Sequence, residues 1–96
     1  MSRNSYDLEF SDNEGTRKVT INLPKGGTQV AAIGEKHGHL EVTLDEGSEN
    51  CEEHLTFAVC RTDNWVEIDK CRDNGFMVVG TVGVDGILYE VFMKKK

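Results

Sequence analysis

Residues 76–93 read FMVVGTVGVDGILYEVFM, two apolar runs, Phe76 to Val84 and Ile87 to Met93, joined by Asp85-Gly86. Asp-Gly between two such runs favours a type I′ turn, because both central residues must take positive φ and the twist then matches that of paired strands. This stretch is a β-hairpin. Both of its runs are apolar on both faces, which places the hairpin centrally or under cover on two sides. Gly80, Gly83 and Gly86 space as G-x-x-G-x-x-G inside the hairpin instead of opening a helix as G-x-G-x-x-G. They read as bulge, bend or close-approach positions and not as a nucleotide fingerprint.

Working outward, turn signals recur at Glu14-Gly15, Gly26-Gly27, His37-Gly38, Gly47-Ser48, Asp63-Asn64 and Asn74-Gly75, most of them 9 to 12 residues apart. Between them lie short runs rich in Val, Ile, Thr and Phe. Val19, Ile21 and Leu23 alternate with Lys18, Thr20 and Asn22; Leu40, Val42 and Leu44 with Glu41, Thr43 and Asp45; Leu55, Phe57 and Val59 with Thr56, Ala58 and Cys60. A period of two gives each strand one dry face, and these apolar sets form the predicted core. Pro24 ends its strand because proline brings no ladder donor. One short helix fits Asn64 to Arg72, capped by Asp63 or Asn64, with Trp65, Ile68 and Cys71 at i, i+3 and i+6; an edge strand at Trp65–Ile68 fits the same residues. The pattern predicts an all-β fold, or a β-rich α+β fold with that one helix: a single antiparallel meander, sandwich or partial barrel of about 6–8 strands.

Ninety-six residues, 38% hydrophobic and 29% charged with one proline, make a single domain spanning 1–96. Eleven basic residues stand against seventeen acidic ones, a net charge of −6. Three of the basic residues are Lys94, Lys95 and Lys96, so residues 1–93 carry 8 − 17 = −9, and 94–96 read as a disordered basic tail. So acidic a body repels phosphate backbones, which argues against direct DNA or RNA binding. No stretch reaches the ~18 apolar residues of a membrane span, and the first ten residues hold no signal-peptide core. The odd set Cys51, Cys60 and Cys71 reads as free thiols, and the expected compartment is the cytoplasm.

The chain carries little catalytic chemistry. No serine lies in G-x-S-x-G or S-x-x-K, and Ser11-Asp12-Asn13 spells an S-D-N element without its partners. Cys51 sits among Glu49, Glu52 and Glu53, a setting that does not read as that of an activated nucleophile. Cys51 and His54 have C-x-x-H spacing, and with Cys71 they form a candidate metal-ligand set. His37 and His39 flank a turn about 23 Å along a strand from Cys51, too far to share its ion. No cofactor is expected. The segment Glu41 to Glu53 holds Glu41, Asp45, Glu46, Glu49, Glu52 and Glu53 and no basic residue. Such a block is either a solvated face or a surface that steers a basic protein partner, with Trp65 as an interface anchor beside it or as core packing.

Leu23-Pro24-Lys25-Gly26, the hairpin from Gln29 to Leu44, Gly80-Thr81-Val82 and Gly86 through Val91-Phe92 together resemble a family of small domains of unknown function encoded by bacteriophages and prophages. That resemblance covers residues 19–93. It implies a phage accessory protein with no assigned activity and no functional residues to carry over. The expected function is a non-enzymatic acidic interaction module that inhibits a host defence or nucleic-acid-handling factor by offering carboxylates where phosphates would sit. A domain sequestering a small molecule or metal is the alternative, and a hydrolytic enzyme the third reading. A homo-oligomer is expected from the two-faced apolar hairpin.

Overall fold

The computed structural model describes residues 2–10 and 16–95. Its elements are β1 (Ser2–Leu8), β2 (Arg17–Leu23), β3 (Gln29–Lys36), β4 (His39–Glu46), β5 (Glu53–Arg61), α1 (Trp65–Asp73), β6 (Met77–Val84) and β7 (Ile87–Lys95). The strands form two antiparallel sheets, ordered β1-β4-β3 and β2-β5-β7-β6. The fold is β-rich with one short helix, as the turn spacing predicts, and the sheets do not close into a barrel. Only β3–β4 and β6–β7 pair as sequence neighbours. Both hairpins turn on two positive-φ residues, His37-Gly38 at 53° and 78° and Asp85-Gly86 at 51° and 81°, the type I′ signature. The Glu14-Gly15 turn and Ser11-Asp12-Asn13 lie outside the described residues.

The alternating sets point where their period sends them. Leu40, Val42 and Leu44 of β4 meet Leu55, Phe57 and Val59 of β5 in one buried cluster that also takes in Leu8, Ile21, Leu23, Val82, Val84, Tyr89 and Val91. Two sheets therefore share one interior. At one side β3 lies against β6: a Cβ on Gly80 would sit 2.8 Å from Ile33 Cδ1, so glycine permits the approach. Bulges between Val30 and Ala32 and between Val78 and Gly80 flank this seam.

The opposite face of the four-stranded sheet carries α1. Asn64 caps it, its side chain accepting from the Glu67 N–H at 3.3 Å. It ends in a Schellman motif, Phe76 N–H to Cys71 C=O and Gly75 N–H to Arg72 C=O, with Phe76 packed on the cluster that contains Cys71. Ile68 and Cys71 bury against Ala58, Cys60 and Phe92. The helix reading of 64–72 holds and the edge-strand reading does not.

Three expectations need correction. Trp65 lies off the buried stripe and is 70% exposed, because only Ile68 and Cys71 point at the sheet. The 76–93 hairpin is covered on two sides along β7 but not along β6, where Met77 and Val78 are exposed, as is Leu88 of β7. A nine-residue helix, ~13 Å long, is too small to cover four strands spaced ~4.8 Å apart. Lys94 and Lys95 are no tail: both belong to β7, and their ammonium groups donate to the Asn74 and Thr28 carbonyls at 2.7 and 2.9 Å.

Candidate functional site

The six carboxylates of 41–53 do not form one patch, because strand alternation sends them to different faces. Glu41 and Asp45 point from β4 to the uncovered side of the three-stranded sheet, opposite Asp7 and Arg3. Arg3 grips Asp45 with two hydrogen bonds, Nε to Oδ1 at 2.7 Å and Nη2 to Oδ2 at 3.1 Å, and holds its carboxyl below the usual range. Glu46 lies on the other side of β4 at the strand end. There it accepts from the Asn4 amide and, at 2.9 Å, from the Tyr6 hydroxyl. Burial, and then that carboxylate, push the Tyr6 hydroxyl upward.

Glu53 is largely enclosed, its side chain 13% exposed. It accepts from the Thr28 N–H at 3.0 Å and lies 3.6 Å from the Lys95 ammonium. Burial pushes its pKa up, but the hydrogen bonds of Thr28 and Gly27 and the charge of Lys95 bring the net value below the usual range. Thr28 is the hub here. Fully buried, it also accepts from the Gly47 N–H through its hydroxyl and from Lys95 through its carbonyl. One threonine thus ties the β2–β3 loop, the β4–β5 loop and the end of β7 together.

The backbone completes the frame. Gly26 and Glu49 exchange N–H···O bonds of 3.0 and 3.2 Å, and the Cys51 N–H donates to the Glu49 carbonyl at 2.8 Å. Gly47 lies so close to Gly26 and Gly27 that a Cβ there would overlap the Gly26 carbonyl. Between the two loops opens a cleft of about 350 Å³ lined by Gly27, Gln29, Asp45, Gly47, Ser48 and Glu49. Two carboxylates on a hydrogen-bonded frame can receive a cation, and Arg3 already shows a guanidinium seated on one of them.

The other predicted residues fall elsewhere. Glu52 is exposed, 4.0 Å from the His54 imidazole, whose Nδ1 contacts Asn22 Oδ1 at 2.5 Å. Cys51 is an exposed loop thiol. Cys71 is buried beside Cys60, which follows His54 by six positions, or about 20 Å of strand. The structure does not bring Cys51, His54 and Cys71 together, and no group of three or more metal-ligating side chains occurs among the described residues. Trp65 follows the far end of β5, some 26 Å from Glu53, so it is not a neighbour of the acidic loop. Thr28, Gln29 and Lys95 were not predicted. The sole hint in the sequence was the Gly26-Gly27 turn, which marks where backbone can approach backbone.

A second groove, also about 350 Å³, lies between α1 and β2, with Lys18, Glu67, Lys70, Cys71 and Phe76 in its wall. Glu67 accepts from the Thr16 hydroxyl at 2.5 Å and lies 3.5 Å from Lys70. Lys18 and Lys94 both stand over the Phe76 ring, 5.6 and 5.7 Å from its centroid. Among the described residues no helix is long and apolar enough to cross a membrane. The chain matches no family model, no curated protein and no solved structure.

Proposed function

We propose that this domain is a non-enzymatic protein-interaction module whose cleft between the β2–β3 and β4–β5 loops receives lysine or arginine side chains of a partner with a basic surface. The observation that carries the reading is the convergence of Asp45 and Glu49 on one cleft whose walls are fixed by the Gly26–Glu49 bridge and by Thr28. A frame set before binding spares the ordering cost that a flexible acidic loop would incur. Glu52 extends the negative field beside the cleft, and the net charge of −6 adds long-range attraction to a cationic surface. Enzymes that handle nucleic acid carry such surfaces, so the reading extends to a phage-encoded accessory protein that occupies a host factor's phosphate-binding groove with carboxylates, in the host cytoplasm.

Binding to a panel of basic nucleic-acid-handling enzymes, measured from ~50 to ~500 mM salt, tests this. Association should be fast at low salt and fall steeply as salt rises. Glu49→Lys should weaken it at least about fivefold through the on-rate. Binding that ignores salt, or that Glu49→Lys leaves intact, would overturn the reading.

A further inference from the structure

Two of the three cysteines are buried together in the layer between α1 and the four-stranded sheet. Cys60 on β5 and Cys71 on α1 are 1% and 4% exposed and belong to one buried cluster with Ala58, Ile68 and Phe92. Both are free. Either thiol alone reads as a small apolar filler. Their meeting across β5 and α1, eleven positions apart in the chain, is a different matter, because it brings two oxidisable groups into one buried layer.

The two are not equivalent. Cys60 is enclosed, and burial first, then the nearby Cys71, Glu90 and Glu67, push its thiol up to about 12. Cys71 forms part of the wall of the groove beside Lys18, Lys70 and Phe76. Burial raises its pKa too, but the Lys18 ammonium opposes that rise. A small thiol reagent entering the groove therefore meets Cys71 first and reaches Cys60 only through it.

We infer that Cys60 and Cys71 are a modification site, an intramolecular disulfide that clips α1 to β5 when a low-molecular-weight disulfide serves as oxidant. In the first step Cys71 gives up its proton and its thiolate attacks a sulfur of the oxidant. A Cys71–oxidant S–S bond forms, the oxidant's own S–S bond breaks, and one thiol leaves carrying a proton. In the second step Cys60 loses its proton and attacks Cys71 Sγ, and the second oxidant thiol departs with a proton. Two protein thiols are oxidised and one disulfide is reduced to two thiols. The bond closes a short ring through Arg61–Lys70 and pins the helix that packs on the second face of the sheet. Cys51, exposed in the acidic loop, lies outside this pair and keeps a thiol of its own.

The test uses the full chain with Cys51→Ser, so that only the pair can react, incubated with oxidised glutathione. The expected product is a monomer two hydrogens lighter than the reduced chain and free of glutathione. Trypsin, cutting after Lys36, Arg61, Lys70 and Arg72, should then release peptide 37–61 linked to the dipeptide 71–72. The thermal midpoint should rise by about 5 °C or more, as a short-loop cross-link that fits the native packing requires. Cys60→Ala in the same background should stop at a glutathione adduct on Cys71. Three results would each overturn the inference: both thiols staying reduced in the folded chain while the urea-unfolded chain oxidises, an adduct on Cys71 that never closes with Cys60 present, or a closed bond that lowers the midpoint.

Discussion

The two sheets solve the same burial problem differently. β4, central in the three-stranded sheet, sets Leu40, Val42 and Leu44 inside and the half-buried Glu41, Thr43 and Asp45 outside, where no second layer of described residues covers them. β5 and β7 in the four-stranded sheet bury residues on both faces, Phe57 and Val91 toward the first sheet and Ala58, Cys60 and Phe92 under α1. The difference was written in the composition of the strands. A strict apolar–polar alternation belongs to a one-sided sheet, whereas Phe-Ala-Val-Cys at 57–60 and Val-Phe-Met at 91–93 belong to a sheet with something on each side. The outer face of the first sheet is polar, and the dry outer face of the second is where a helix is held.

That contrast can be broken most forcefully at Phe92. Phe92→Ala empties a fully buried site under the helix and should cost about 3–5 kcal/mol in urea unfolding, as much as truncating an inner-face residue. A cost below about 1 kcal/mol would show that α1 does not make a true second layer. Gly47→Ala attacks the staple between loops of the two sheets. Its Cβ meets backbone that cannot rotate away, so about 1–3 kcal/mol should be lost, together with the shape of the acidic cleft, read by amide shifts at Gln29 and Ser48. Asn64→Ala removes only the helix cap and should cost about 1 kcal/mol, less than Phe92→Ala because the covering layer loosens at one end.

Acid should probe the loop side. Glu53 and Asp45 are held below their ordinary values of 4.5 and 3.8, so the folded state prefers their ionised forms. Their contribution is complete at neutral pH and fades as pH drops below those ordinary values and through the depressed native ones. The thermal midpoint should therefore decline with acidification over that interval, and Glu53→Gln should flatten the decline while lowering the midpoint at pH 7. A midpoint equally pH-dependent in Glu53→Gln would remove Glu53 from this role. Thr43→Ala, which loses a 3.0 Å hydrogen bond to Ser5 on the open face, should change stability by no more than about 0.5 kcal/mol, the smallest effect of the set.

Much of this was legible in the linear chain. Asp85-Gly86 announced its turn, the period-two runs named their buried sides, and Asn64 stood ready to cap a helix, all through interactions within a few residues. Trp65 misled because i, i+3, i+6 spacing over nine residues fits a stripe that only Ile68 and Cys71 use. The acidic run misled for the opposite reason. It reads as one block along the chain, yet alternation splits Asp45 from Glu46, and Arg3, Tyr6 and Lys95, each about forty residues away, claim three of its six carboxylates.

What the sequence determined by itself is the strand content, the hairpin turns, the identity of the dry faces and the excess of negative charge, since each depends on local stereochemistry or on a simple count. The tertiary structure alone decided that β1 pairs with β4 and β2 with β5, that Thr28 joins three segments, that Asp45 and Glu49 share a cleft, and that Cys60 meets Cys71. Those outcomes depend on which distant surfaces pack together, and a pairing set by the whole core's free energy leaves no mark at any single position.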